Sequence, residues 1–351
     1  MKSDRLTRKT TLKKISSLKP DGEITLYDFT TTEITDSPFF PLSGLYEPGS
    51  ESLLEDEAPY NFHSETDILR WCAALIFESP TAGVMYGEAE QGGWNVGFGT
   101  LNGGGFHLDM KKKRIVLDHF SMTPSALGRS AYFRNIVLVT LIRALRDIWH
   151  ERRHEPFENE YSPEDVLMLE RLRAADCDAV TILSAWELRG AGFGEIWRHV
   201  IGSAEGDMAM IFTRVLERDP AAFLDGAALA YALRQWYADE TRVNGCDHET
   251  LEAMDDLMIG SEQHNPFGNT RLSEEKIESI GLLPDGTCYL AGLGETIKTD
   301  PFFAGLKDEI NQCHLFQLMY DMEVTVMGNV PFRDRKLAAM MFPTEPEGEM
   351  N

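Results

Sequence analysis

Cysteine is scarce in this 351-residue chain and follows no pairing pattern. Cys72, Cys177, Cys246, Cys288 and Cys313 form an odd set with no C-x-x-C spacing, which excludes a disulfide frame and a thiolate metal knot. They read as reduced, mostly buried thiols. Long apolar runs are also missing. The cleanest, Ile136 to Ile142, is far shorter than the ~20 residues a membrane-spanning helix needs. The basic N-terminus leads into no apolar stretch of the kind an export signal carries, so the expected location is the cytoplasm. Positive charge is in deficit, with 33 Lys and Arg against 57 Asp and Glu and a net charge of -24. That balance excludes general binding to nucleic acid or to an anionic membrane. No internal period of repeat length is present. The glycine run Asn102-Gly103-Gly104-Gly105 lacks the Lys-Ser/Thr of a phosphate loop and leads into a strand, so its expected role is a hairpin turn.

What the chain does have is core material, 43% hydrophobic residues, arranged in mainly helical periods. The expected class is α+β: a small antiparallel sheet of about three strands, a pair of long antiparallel helices, and a helical C-terminal part. Residues 1–60 form a basic, then acidic, extended N-terminal region. Residues 61–260 form the main domain, 261–345 a mixed extension packed on it, and 346–351 a polar tail. Lys2, Arg5, Arg8, Lys9, Lys13, Lys14 and Lys19 crowd the start. Phe39, Phe40, Leu42, Leu45 and Tyr46 are apolar enough to dock on the body as a strap.

Ser64 ahead of Glu65 and Asp67 marks a helix start, and the helix ends before Pro80; a second short one covers 83–90. Strands are expected at 94–98, 106–108 and 114–118, the first two joined through the glycine run and the last two across the turn at Lys111 to Lys113. Helices follow over 195–201, 206–217, 225–241, 249–258 and 302–322, with Asp247-His248 in a cap, Ser273 opening another helix and a strand near 287–290.

The stretch Arg129–Glu155 repeats apolar residues at helical spacing and ends in a basic turn that suits the helix dipole. Leu138, Leu141, Leu145 and Ile148 fall on one side; Arg143, Asp147, His150 and His154 line the other. Its tail spells His150-Glu151-Arg152-Arg153-His154, a literal H-E-x-x-H, in which two imidazoles one turn apart can grip zinc while the Glu acts as general base. Glu164 or Asp165 is the nearest acid for a third ligand. The plain alternative is a solvated helix end, since both middle positions are Arg and Pro156 stops the helix. The next helix starts at Ser162-Pro163 and runs to Gly190. A short connection makes the two helices antiparallel neighbours, with opposed residue numbers adding to about 316 for a simple loop. That register sets Arg143 across from Arg173 and Ala174, and Asp147 across from Glu170. It leaves His150 and His154 near Glu164 and Asp165 only. Asp176 then needs a partner, which Arg143 or Arg146 can supply.

Strands, then an active-site helix, then a second helix bearing an acid is the plan of zincin metallopeptidases. Between Trp94 and Asp247 the chain resembles a bacterial metallopeptidase family known mainly by a domain-of-unknown-function label. The resemblance rests on Gly104-Gly105-Phe106, Ala144-Leu145-Arg146-Asp147-Ile148-Trp149, Ala174-Ala175-Asp176-Cys177-Asp178-Ala179, Ala185-Trp186-Glu187-Leu188 and Gln235-Trp236-Tyr237. Laid on the family's H-E-L-R-H helix and E-A-D-x-x-A segment, Arg143, Ala144, Asp147 and Ala174 stand where it has His, Glu, His and Glu. Leu145, Arg146, Trp149, Ala175 and Asp176 match. The resemblance therefore implies the scaffold without the metal grip: ion pairs among Arg143, Asp147, Glu170 and Asp176, no cofactor, and a binding or regulatory role through the former cleft toward a peptide or protein partner. Two other readings stay open. One is a working zinc peptidase with catalytic Glu151 and ligands His150, His154 and Glu164. The other is an acidic interaction protein that recognises partners through its basic tail.

Overall fold

A computed structural model describes residues 38–46, 54, 60–101, 105–260, 265–323, 325–327, 330–332 and 340–341. The expectations for residues 1–37, for the turn at 102–104 and for the tail at 346–351 lie outside the described residues.

The chain enters as strand β1 (Phe40–Pro41), which pairs antiparallel with β2 (Asn95–Gly99). Leu42 and Leu45 are buried just beyond it, and Tyr46 stacks on Phe77 at 3.9 Å. Helix α1 (Glu65–Phe77) starts in a full capping box: the Ser64 hydroxyl accepts from the Asp67 N–H, and the Asp67 carboxylate accepts from the Ser64 N–H. Helix α2 (Pro80–Gln91) begins three residues earlier than periodicity suggests, because Ser79 caps it and Pro80 fits its first turn.

β2 lies parallel to β4 (Arg114–Asp118), and β3 (Phe106–Asp109) pairs antiparallel with β4 on the outer side. The sheet order is β1-β2-β4-β3, mixed rather than antiparallel. The expected β2–β3 hairpin is replaced by a crossover. Ile115, Val116 and Leu117 are an unbroken apolar run that needs cover on both faces, so β4 takes the middle; β3, half-buried, takes the edge.

Helix α3 (Pro124–Arg129) leads through the N-cap Ser130 into α4 (Ala131–Arg153). The one-turn α5 (Phe157–Glu160) connects α4 to α6 (Pro163–Gly190), a 28-residue helix capped by Ser162 and buried along most of its length. Then come α7 (Gly194–Ile201), α8 (Gly206–Arg218), α9 (Ala227–Trp236) and α10 (Glu240–Gly260). The expected single helix over 225–241 is broken after Trp236, and Asp247-His248 lies inside α10 rather than in a cap. Helix α11 (Glu274–Ile280) starts from the Ser273 cap as expected, and α12 (Gly294–Thr299) and α13 (Pro301–Ala304) follow. The expected helix over 302–322 is α13 plus a separate α14 (Glu309–Glu323). The expected strand near 287–290 is only an isolated bridge, Leu282 to Cys288. After α14, β5 (Thr325–Met327) and β6 (Val330–Phe332) pair antiparallel as a separate two-stranded sheet.

One hydrophobic core runs through the sheet, α1, α2, α4 and α6. Helix α4 presents Leu138, Leu141, Leu145 and Ile148 to it, each at most 1% exposed. None of the described helices is long and apolar enough to cross a membrane.

Candidate functional site

The polar side of α4 does not face water; it faces α6. Arg146, Asp147 and His150 are all buried, and across from them α6 buries Glu170, Arg173, Asp176 and Asp178. So much charge inside a helix pair is tolerated only when each group meets an opposite one. The contacts form a ladder. Arg143 Nε lies 3.1 Å from Asp178, Arg146 Nε 2.6 Å from Asp176, Arg173 2.6 Å from Asp147 and 2.7 Å from Glu151.

Opposed numbers therefore sit four to six residues further along α6 than a simple loop predicts. The cause is α5, whose buried Phe157 consumes connecting chain and shifts the start of α6. Arg143 thus meets Asp178 rather than Arg173, and Asp147 meets Arg173 rather than Glu170. Asp176 takes Arg146, one of the two partners expected for it. Glu170 is buried on α6.

Asp176 is the centre of the ladder. Arg146 approaches it in a fork, Nε at 2.6 Å and Nη2 at 3.0 Å; the Tyr289 hydroxyl donates at 2.7 Å, and His150 Nε2 lies at 2.6 Å. Burial pushes this carboxyl up, but Arg146 and the bond from His150 outweigh it and hold it well below the usual carboxylate range. Burial pushes His150 down to about 4 against the pull of Asp176, with Arg146 adding to the push. The imidazole is therefore neutral at neutral pH. An ionised carboxylate can only accept, so the ring proton sits on Nε2 and points at Asp176.

Two glycines let Tyr289 reach that position. Gly226 has φ +75°, and a Cβ there would lie 2.4 Å from the Tyr289 Cβ; at Gly281 it would lie 2.5 Å from the Leu290 side chain. The same segment gives Arg146 Nη2 its remaining acceptors, the Ile280 and Leu282 carbonyls, both at 3.1 Å.

Asp178 stands at the end of the ladder. It accepts from the Trp236 indole at 2.9 Å and pairs with Arg143, whose side chain is 32% exposed. Burial raises its carboxyl to about 6, Arg143 opposing and Glu205 adding. A separate pair, Arg171 and Asp247, joins α6 to α10 at 2.6 Å, and burial raises Asp247 to about 6 against Arg171.

The literal His150-Glu151-x-x-His154 positions divide between these contacts. His150 does not point toward the first-turn acids of α6, as the simple register had it; it is inside the ladder. His154 is half-buried with its ring 5.7 Å from that of His150, and burial pushes it down to about 3, with His150 and Lys276 adding. Glu151 is bound to Arg173. Glu164 is exposed in the first turn of α6. His150, Asp176 and Cys177 do form a buried group whose potential ligand atoms all lie within 4.8 Å of one another.

Tyr289 is a site residue that the sequence did not single out; Arg173 was placed opposite Arg143 and Trp236 entered only through the family resemblance, neither with the partner it meets here. Asp178 left a trace, as a second acid two positions after Asp176 on a helix that is otherwise apolar there.

A family profile described as "Putative metallopeptidase family (DUF6782)" matches residues 107–291. No match was found among curated proteins or among solved structures.

Proposed function

The chain belongs to this metallopeptidase family, and on that premise we propose that it is a catalytically degenerate member acting as a binding or regulatory protein through the region of the former cleft. The observation that carries the reading is the saturation of Asp176 by Arg146, His150 and Tyr289. A zinc site needs ligands with free lone pairs about 2.0–2.3 Å from one ion and an open fourth position. Here the His150 nitrogen nearest the acid carries a proton bound to that acid. The acid is forked by a guanidinium, so a dication would meet a fixed positive charge. This donor set does not fit zinc.

The positions matched by the family's metal motif support the same reading. Arg143 is held by Asp178, Asp147 by Arg173, and Ala144 and Ala174 offer only methyl groups. Glu151, the general base of the alternative peptidase reading, is neutralised by Arg173. Past the ladder, a small cleft of about 50 Å³ opens among Leu183, Glu187, Phe212, Leu229 and Leu283, room for one small apolar group of a partner.

The test is elemental analysis of the full-length protein after exhaustive dialysis, with thermal unfolding in the presence and absence of a chelator. The expected result is well under one zinc per chain and an unchanged Tm. One zinc per chain, lost in His150→Ala, would replace this reading with the His150-Glu151-x-x-His154 peptidase.

A further inference from the structure

Helix α14 lies outside the residues the family profile matches, and it has two apolar faces. The inner one, with Asn311, Leu315 and Leu318 buried, packs on α10 and α6. The outer one sets Ile310, Phe316 and Tyr320 in solvent at 74%, 69% and 42% exposure, with exposed Cys313 between them. At 100° per residue these four fall within 120° of one another, opposite the buried face. The neighbouring helix extends the patch: His314 of α14 bonds Asp255 of α10 at 2.6 Å, and one turn beyond Asp255 stands Ile259, 81% exposed.

The frame of this patch has one sign. Between His248 and Gly260 the sequence has four carboxylates and no Lys or Arg, the fifth acid of α10, Asp247, being buried on Arg171; between Asp308 and Glu323 it has four and none. The nearest cation along the chain, Lys307, is placed over the Phe302 ring. A second copy of the chain would bring the same acids against these, so the patch selects against self-association. Its complement is a segment that is both apolar and strongly basic, and the chain contains one. Residues 1–20 carry seven Lys and Arg against a single Asp, a local charge of +6; with the whole chain at -24, the remainder stands at -30. Within that stretch Leu12, Ile15 and Leu18 recur at helical spacing among Lys13, Lys14 and Lys19. Tethering gives such a segment an effective concentration of about millimolar order, ahead of any free competitor.

We propose that the outer face of α14, with Ile259 of α10, is the docking site for the chain's own basic segment, residues 5–19. The attraction is screened by salt, and a more basic amphipathic segment of another protein would displace the occupant by the same chemistry.

Cys313, in the middle of the patch, provides the readout. In full-length Ile15→Cys, mild oxidation at low salt is expected to give an intramolecular disulfide between the introduced thiol and Cys313, identified by peptide mapping. Its yield should be independent of protein concentration and fall at least about fivefold in ~0.5 M NaCl, where the Debye length drops to a few ångströms. The exposed substitution Phe316→Glu should lower it equally without unfolding the chain. In the native sequence, alkylation of Cys313 should be slow at low salt and fast at high salt, and Lys13→Glu with Lys14→Glu should make it fast throughout. A disulfide between chains that grows with concentration would assign the patch to a second copy. Salt-independent alkylation, with no cross-link from the introduced thiol to Cys313, would show the patch unoccupied. Either outcome overturns the proposal.

Discussion

Asp176 and Asp178 are two residues apart on one helix, both buried, and each faces an arginine of α4, yet their carboxyls move in opposite directions. Asp176 receives a forked guanidinium, a tyrosine hydroxyl and an imidazole N–H, and is held well below its ordinary range. Asp178 receives an indole and a partly solvated guanidinium, and burial raises it to about 6. Depth alone therefore does not set the charge state; the number of donors aimed at each oxygen does. Asp247, facing Arg171 alone, follows Asp178.

The largest break in this comparison should come from Arg146→Met, which leaves Asp176 buried without its main partner. Urea unfolding should show a loss of about 3–5 kcal/mol. Tyr289→Phe removes one hydrogen bond to the ionised Asp176, and the loss should be about 1.5–3 kcal/mol. The same substitution elsewhere on the surface should cost little, which makes a paired control straightforward.

Stability against pH sharpens the contrast. Asp178, folded at about 6 against an unfolded value near ~3.9, binds protons more readily when folded, so its contribution falls as pH rises between those values. His150, folded at about 4 against ~6.5 unfolded, resists protonation when folded, so stability is lost as pH falls through that window. Asp178→Asn should therefore make the slope between about pH 4 and 6 more positive and His150→Gln make it less so, read from denaturant midpoints at each pH. Equal slopes in both variants would contradict the assignment. The smallest effect belongs to Glu151→Gln, which frees Arg173 from one of its two carboxylates near the surface. It should change stability by no more than about 1 kcal/mol and leave metal content unchanged.

The sequence carried the local part of this architecture. Ser64 and Ser162 mark helix starts through side-chain chemistry that operates within three residues, and the α4–α6 pair follows from periodicity and a short connection. Arg146 as a partner for Asp176 was legible too, because a buried acid on α6 requires a cation from its neighbour. The register was not, since α5 inserts a buried turn that composition disguises as loop. Tyr289 and Trp236 were out of reach. They lie 113 and 58 residues from the acids they bind, and nothing local to a tyrosine or tryptophan tells which carboxylate it will meet. The sheet order failed for a related reason: proximity in sequence favoured a β2–β3 hairpin, while the demand for two-sided cover put β4 between them.

Arg146 also fixes when the molecule can finish folding. Its last two acceptors, Ile280 and Leu282, are 134 and 136 residues downstream, and Tyr289 is further still. A ribosome will thus have released both long helices, with the ion pairs between them, well before the neutral groups that complete the hydrogen bonding of Arg146 and Asp176 have been synthesised. Until then the nascent helix pair holds a central ion pair whose hydrogen bonding is incomplete, a step at which chaperone engagement is favoured.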